Sequence, residues 1–317
     1  VAYLWIDTDT RNRSIDGKAL DYIFQEVNFS PSEIVDAQVH AAAFSQYITH
    51  PNAHPHLFRW FDRALSSHGT AVEDGAGQIR SFGRLGFFHN FLDIETKFRQ
   101  ARQAVENQDA INYMSQRYRV SVDPTSTNVY IVCSLAGGTG SGMFLDMAFL
   151  VKDMIPNANI TGFLALPPLF LTDPDHRIYA NAYAALKELE YYSLRKDLRE
   201  KPVDIQGQAA SHPERSFHDF EVVWERGKPR RIIGPPFNTC YLIDNQTERG
   251  GRILPEKKAE LCDMIAENIF MDFSTDYQVF ALHKRSVRAN LSQYLLNDLD
   301  YEHLDADGNT YYSETFS

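Results

Sequence analysis

The sequence has 317 residues, 44% of them hydrophobic and 23% charged, a composition that suits a globular protein with a large core and two packed subdomains. Its net charge of −11 argues against a nucleic-acid or anionic-membrane surface as the main partner, and no apolar run approaches the roughly 20 residues that cross a bilayer. The three cysteines, Cys133, Cys240 and Cys262, lie far apart in apolar runs without a C-x-x-C pair, so they read as reduced core residues of a cytoplasmic protein lacking a zinc site.

The chain opens on a short apolar strand, Tyr3-Leu4-Trp5-Ile6, which ends at Asp7-Thr8-Asp9-Thr10. It starts without Met, inside that strand, and without the basic region of a signal peptide, so a fragment or a trimmed chain is expected. Acidic and hydroxyl residues just past a strand's carboxyl end sit where α/β proteins bind ligands. The same residues also suit an ordinary Asx turn or helix cap.

Residues 11–70 read as helix and loop, with Ser30-Pro31-Ser32-Glu33 as a helix start capped by Ser30. His50, His54 and His56 stand close together, but prolines surround them and no carboxylate or Cys is near, so a surface loop is favoured over a metal site. A second glycine stretch follows, Gly75-Ala76-Gly77-Gln78-Ile79-Arg80-Ser81-Phe82-Gly83-Arg84. Residues 85–113 then carry helical periodicity at Phe87, Phe91, Ile94 and Phe98.

Residues 128–168 read as strand, loop, helix and strand, the pattern of a βαβ unit in a parallel sheet. The loop is Ala136-Gly137-Gly138-Thr139-Gly140-Ser141-Gly142. Glycine leaves no Cβ between a backbone and a phosphate chain, and the N–H groups at the start of a helix point at an anion. The Thr and Ser hydroxyls are expected to add donors. A Walker loop is excluded, because Met143 and Phe144 stand where Lys and Ser or Thr are required. A dinucleotide fingerprint is excluded, because Met143 stands where its third glycine belongs. A flexible linker does not suit a position between a strand and an apolar helix. That helix, residues 143–154, is apolar nearly all round and should be buried.

Asp173 and Arg177 follow the second strand and stand one helical turn apart, which by itself suits an N-terminal carboxylate on a helix dipole with an Arg one turn on. Residues 199–237 form a polar insertion with a hairpin at 221–225 and 230–233. Another buried strand ends in Asp244-Asn245, where the Asn amide suits a purine edge or a turn. Residues 256–273 read as a long helix, and 276–317 carry little pattern.

Residues 136–142 resemble the signature of the tubulin and bacterial cell-division (FtsZ) superfamily: a small residue, Gly-Gly-Thr-Gly, a small residue and Gly. The stretch from Gly75 to Arg84 is similar to the superfamily's loop around the terminal phosphate, with Ile79-Arg80-Ser81 in place of its Asn-Pro-Glu centre. Arg80 would then add a cation at the phosphates or face solvent. Asp7-Thr8-Asp9 resembles a mixture of the bacterial and tubulin acidic turns, Asp173 and Arg177 the ribose-contacting pair, and Asn245 the guanine-binding Asn.

The resemblance implies an α/β fold, a parallel sheet with helices on both faces, whose first strand and first phosphate loop precede Val1. It implies a nucleotide-binding domain over residues 1–254 with insertions near 10–70 and 199–237, a central helix over 255–275, and a second domain or tail over 276–317. It also implies binding of GTP or GDP with Mg2+, Asp7 and Asp9 lying near the metal through water. Hydrolysis would be completed by an acidic loop from the next subunit in a head-to-tail filament, with Asn297, Asp298 and Asp300 as the nearest candidates, although their spacing departs from the superfamily pattern. An acidic solvated loop is the alternative for those three residues. A GTP-binding switch or scaffold without polymerisation is the second reading of the whole chain. An enzyme using another nucleotide in the same cradle is the third. No nucleic-acid contact and no membrane insertion are expected.

Overall fold

The computed structural model describes residues 1–9, 14–15, 18–19, 29–67, 71–73, 75–118, 127–167, 177–193, 219–245, 258–273, 302–304 and 310–312. Strand β1 (Trp5–Asp7) is followed by a short antiparallel pair, β2 (Ser14–Ile15) and β3 (Lys18–Ala19). Strand β4 (Ile34–Asp36) then pairs in parallel with β1, Trp5 opposite Ile34 and Asp7 opposite Asp36. At Ser30 the expected cap is present, since the Ser30 N–H donates to Glu33 Oε2 at 2.8 Å. The helix does not continue, however: Pro31–Glu33 is a single 3-10 turn that runs straight into β4.

Helix α1 (Ala41–Thr49) begins where Glu73 Oε1 accepts from the Ala41 N–H at 3.1 Å. The histidines after it pack against aromatic rings, His54 against Tyr47 and His56 against Phe88. Among the described residues no group of three or more His, Cys, Asp or Glu could hold a metal ion. The expected long helix over 85–113 is divided into α2 (Arg80–His89), α3 (Phe91–Val105) and α4 (Gln108–Tyr118). Asn90 makes the first break, its side-chain amide donating to Gln38 O at 2.9 Å and Gly86 O at 3.0 Å. An Asn side chain that bonds nearby carbonyls competes with the helical ladder.

Strand β5 (Asn128–Ser134), helix α5 (Thr139–Met154) and strand β6 (Asn159–Ala165) form the expected βαβ unit. Helix α6 (Arg177–Ser193) follows, then a hairpin of β7 (Asp219–Glu225) and β8 (Lys228–Ile233), with Gly227 at φ +73° in its turn. Strand β9 (Thr239–Ile243) completes a parallel sheet of order β5-β6-β9. Helix α7 (Lys258–Phe273) comes after it, and β10 (Glu302–Leu304) pairs with β11 (Thr310–Tyr312). Strands β1 and β5 are not hydrogen-bonded to each other.

The middle strand β6 is covered on both faces, whereas the edge strands β5 and β9, expected to be buried, are partly open, with Val132 50% and Leu242 46% exposed. Along β6, Ile160 and Leu164 face the main core, and Phe163 and Ala165 face a second cluster with Leu261 and Ile265 of α7. Each such large apolar side chain contributes about 1.5–3 kcal/mol when fully buried. No residue of α5 is exposed, in line with its apolar circumference. Arg230 holds the hairpin over α3 and α5 through Glu95 at 2.8 Å and Asp153 at 2.7 Å. Burial pushes the Cys133 and Cys240 thiols up to about 12, so both are inert core thiols. Cys262 corrects the expectation for the third cysteine, because it is exposed on α7.

Candidate functional site

Three loops at strand and helix ends converge beside the start of α5. The first is the acidic turn after β1. Thr8 is fully buried there, and its hydroxyl lies 2.6 Å from the Thr139 hydroxyl. Asp7 Oδ1 accepts from the Thr8 N–H at 2.7 Å and from the Asp9 N–H at 3.3 Å. Burial raises the Asp7 carboxyl above its usual range; the two N–H donors and the Thr139 hydroxyl oppose that rise, and the nearby Asp9 carboxylate adds to it. Two carboxylates on one tight turn offer hard oxygen ligands suited to a magnesium ion or its waters.

The second loop carries Gly75, Ala76 and Gly77. Gly75 and Gly77 have φ of +86° and +55°, and Gln78 follows at +58°. Three such conformations in four residues turn the backbone sharply into α2, which only glycine adopts without strain. A Cβ on Gly75 would lie 3.7 Å from Asp9 Cβ, so this loop abuts the acidic turn.

The third loop is 135–138, leading into Thr139. The first helical bond of α5 runs from the Gly142 N–H to Gly138 O at 3.1 Å, which leaves the preceding N–H groups without partners inside the helix. The Ala136 N–H donates to Ser134 Oγ at 3.0 Å. The Ser141 hydroxyl, expected as a phosphate donor, instead donates to the Gly137 carbonyl and is 1% exposed. The cradle at this loop is therefore made mainly by backbone.

The second and third loops are in contact. A Cβ on Gly138 would meet Ala76 Cβ and the Ile79 N at 2.8 Å, and one on Gly83 would meet Gly138 O at 2.2 Å. One on Gly142 would meet Arg80 O at 2.2 Å. Helices α2 and α5 can approach this closely only because these positions lack side chains. Around Gly137, in contrast, a Cβ would find nothing within 4 Å, and Gly140 packs back onto Ser134 O. The open side of the cradle is thus at Gly137.

Arg80 neither reaches toward this opening nor faces solvent, which corrects both expectations for it. Its guanidinium donates to Ser141 O at 3.0 and 3.2 Å and to Glu188 Oε2 at 2.6 Å. Arg177 reaches Gly77 O at 3.5 Å, placing it beside the second loop. Asn245 lies two residues past the end of β9, a strand two places from β5 and so about 10 Å across the sheet. It is 5% exposed; its own N–H donates to Asp244 Oδ1 at 2.6 Å, and its Oδ1 has no partner among the described residues. A buried acceptor without a donor costs about 1–3 kcal/mol, which a ligand donor would recover. Asp173, Asn297, Asp298 and Asp300 lie outside the described residues.

Two features escaped the sequence reading. Asn181, 9% exposed, donates through one amide nitrogen to Gln78 O at 2.9 Å and Ala136 O at 3.0 Å. Its signal was a polar residue inside the apolar stripe Ile178, Ala182, Ala185 and Leu189. The other is Asp146, 1% exposed in the apolar α5. It accepts from Arg84 Nε at 2.7 Å and from Trp224 Nε1 at 2.9 Å, linking α2, α5 and the hairpin.

No curated protein matches the chain. It is similar to the solved CetZ from Methanosaeta thermophila strain DSM 6194, with 18% identity and a TM-score of 0.30 over 73% of this chain, and it spans 39% of that protein's length. Residues 1–312 match the family model described as Tubulin like, and with nearly the whole sequence covered, this chain belongs to the tubulin-like family.

Proposed function

We propose that the chain binds a guanine nucleotide with Mg2+ between its glycine loops, and that head-to-tail assembly into a filament completes a GTP-hydrolysing site. The observation that carries this reading is the joining of the two glycine loops around an open Gly137, with the acidic turn bonded to the same helix start through Thr8 and Thr139. The backbone N–H groups at 137–141 would hold phosphate oxygens, aided by the dipole of α5. Loop 75–77 would enclose the terminal phosphate. Asp7 and Asp9 would hold the waters of Mg2+, which when bound neutralises phosphate charge. Asp173 and Arg177 would contact the ribose.

The orphaned Oδ1 of Asn245 supports a base at the carboxyl end of β9, since a guanine edge supplies the missing donor. Asn297, Asp298 and Asp300, presented by a neighbouring subunit, are the candidates for orienting the attacking water. In this reading residues 1–254 form the nucleotide domain, 255–275 the central helix and 276–317 the start of a second domain. The setting would be the cytoplasm; among the described residues no helix is long and apolar enough to cross a membrane.

A second reading is a GTP-binding switch or scaffold that does not polymerise. The irregular spacing of Asn297, Asp298 and Asp300 favours it over efficient hydrolysis. Mass identification of nucleotide carried through purification tests the shared premise, and an adenine or nicotinamide compound would overturn it. Pelleting with GTP against GDP separates the two readings. A GTP-dependent polymer supports assembly, and its absence at high protein concentration supports the switch.

A further inference from the structure

We propose that Asn181 is a positioning residue: its amide straps the two glycine loops together and so sets the site's preference for a triphosphate over a diphosphate. This inference rests on the nucleotide reading of the same loops.

Both hydrogens of one nitrogen are used, toward Gln78 O at 2.9 Å and Ala136 O at 3.0 Å. Those carbonyls belong to different loops, 58 residues apart in sequence and brought within reach of one buried side chain. Gln78 is the non-glycine residue with positive φ among the described residues, at +58°. The strap therefore holds the backbone where it is most strained. It also fixes the orientation of the Ala136 peptide, whose neighbour Gly137 lines the open side of the cradle.

Asn181 acts within a larger contact made by α6. Arg177 reaches Gly77 O at 3.5 Å, and Glu188 pairs with Arg80, which in turn binds Ser141 O. Offsets of four and eleven residues return to within about 40° of the same helical face. One face of α6 thus touches the end of loop 75–79 at two carbonyls and the start of α5 through Arg80. Loop 135–138 and the start of α5 would hold any phosphate chain, whereas loop 75–77 would bear on the last phosphate alone. A strap between them governs that last contact.

The test compares the Kd of GDP with that of a non-hydrolysable GTP analogue, both with Mg2+, for the wild-type chain and Asn181→Asp. The substitution keeps the shape and turns a carboxylate toward two carbonyl oxygens. Expected is a loss of about tenfold in affinity for the triphosphate analogue, with the diphosphate changed by less than about threefold. A merely structural role would lower both affinities together or lower only the unfolding temperature, and either result overturns the proposal. So does an unchanged ratio. Asn181→Ser is read in the same way where Asn181→Asp does not yield folded protein. Glu188→Gln, which loosens Arg80 on the same helix face without touching the strap, is expected to keep the wild-type ratio. A wild-type chain that binds neither nucleotide overturns the cradle reading itself; a wild type that discriminates, beside a variant that discriminates equally, overturns the strap alone.

Discussion

The Thr8 and Thr139 hydroxyl oxygens lie 2.6 Å apart, joining the end of β1 to the first residue of α5 across 131 positions of sequence. Because Thr8 is fully buried, losing Thr139 would leave the Thr8 hydroxyl without a bond and without water, whereas Thr139 is half-buried and its hydroxyl also bonds the Asp7 carboxyl. Thr139→Val is expected to destabilise the fold by about 1–3 kcal/mol, and Thr8→Val by less, because the Thr139 hydroxyl keeps its bond to Asp7. The double substitution is expected to cost less than the sum, because with both hydroxyls gone neither is left facing an apolar group. Urea unfolding of the three variants measures this, and strict additivity would mean that the two hydroxyls do not interact.

Asp7 gives a pH dependence of definite sign. Burial holds its folded-state pKa above the ordinary 3.8, so between these two values the folded state binds more proton than the unfolded chain. Its contribution to stability therefore falls as pH rises through that window and stays low above it. Asp7→Asn removes the charge and keeps the oxygen that accepts from Thr8 and Asp9. The ligand-free variant is expected to melt above the wild type at pH 7, by roughly 2 °C if the relief is ~1 kcal/mol. The gap should close toward pH 4. Mg2+-dependent nucleotide binding should weaken in the same variant, a separation of stability from function.

Gly137 and Gly142 divide the loop's two duties. Gly142→Ala would set a Cβ 2.2 Å from Arg80 O and 2.9 Å from Arg84 N, both backbone atoms of α2. Parting the helices is expected to cost about 1–3 kcal/mol. Gly137→Ala meets nothing within 4 Å, so its unfolding free energy should stay within about 0.5 kcal/mol of wild type. Nucleotide affinity should fall in both. A Gly137→Ala chain with unchanged affinity would show that no ligand approaches this side of the loop.

Asp146 receives three donated bonds, from Arg84 Nε, from Arg84 Nη2 at 3.3 Å and from Trp224 Nε1. Asp146→Ala leaves the guanidinium and the indole N–H without their acceptor, with an expected loss of about 3–5 kcal/mol. Trp60, whose ring centre is 4.7 Å from the Arg84 guanidinium carbon, is a poor substitute for a carboxylate. Guanidinium chloride unfolding measures the loss. A change below about 1 kcal/mol would mean that water replaces the carboxylate.

Much of the architecture was legible in the chain itself. The apolar run after Asn159 marked a strand buried on both faces, and the apolar circumference of α5 marked a helix without an exposed residue; the run before Gly137 also marked a strand, but β5 is an edge strand with no buried residue and Val132 50% exposed. Short elements were not legible. The three residues of β4 carry too little pattern to announce a strand, and the Ser30 cap opens only one turn because the chain is drawn into pairing with β1. The break at Asn90 depends on the Gln38 carbonyl, 52 residues away in sequence.

The two glycine loops were expected from residue type, their order along the chain and the superfamily resemblance, because absent Cβ atoms, strand-to-helix order and, at Gly75 and Gly77, positive φ are local properties of the backbone. Which polar groups face a ligand was decided only by packing. Ser141 turned to the Gly137 carbonyl, Arg80 to Ser141 and Glu188, and Asn181, a residue without a motif, became the bridge between the loops. The physical reason is that α2 and α5 meet through Gly83 and Gly142 with no side chains between them, which brings carbonyls from distant segments within reach of the same donors. Hydrogen-bond partners across such a contact are set by its geometry, and a sequence pattern contains no measure of that distance.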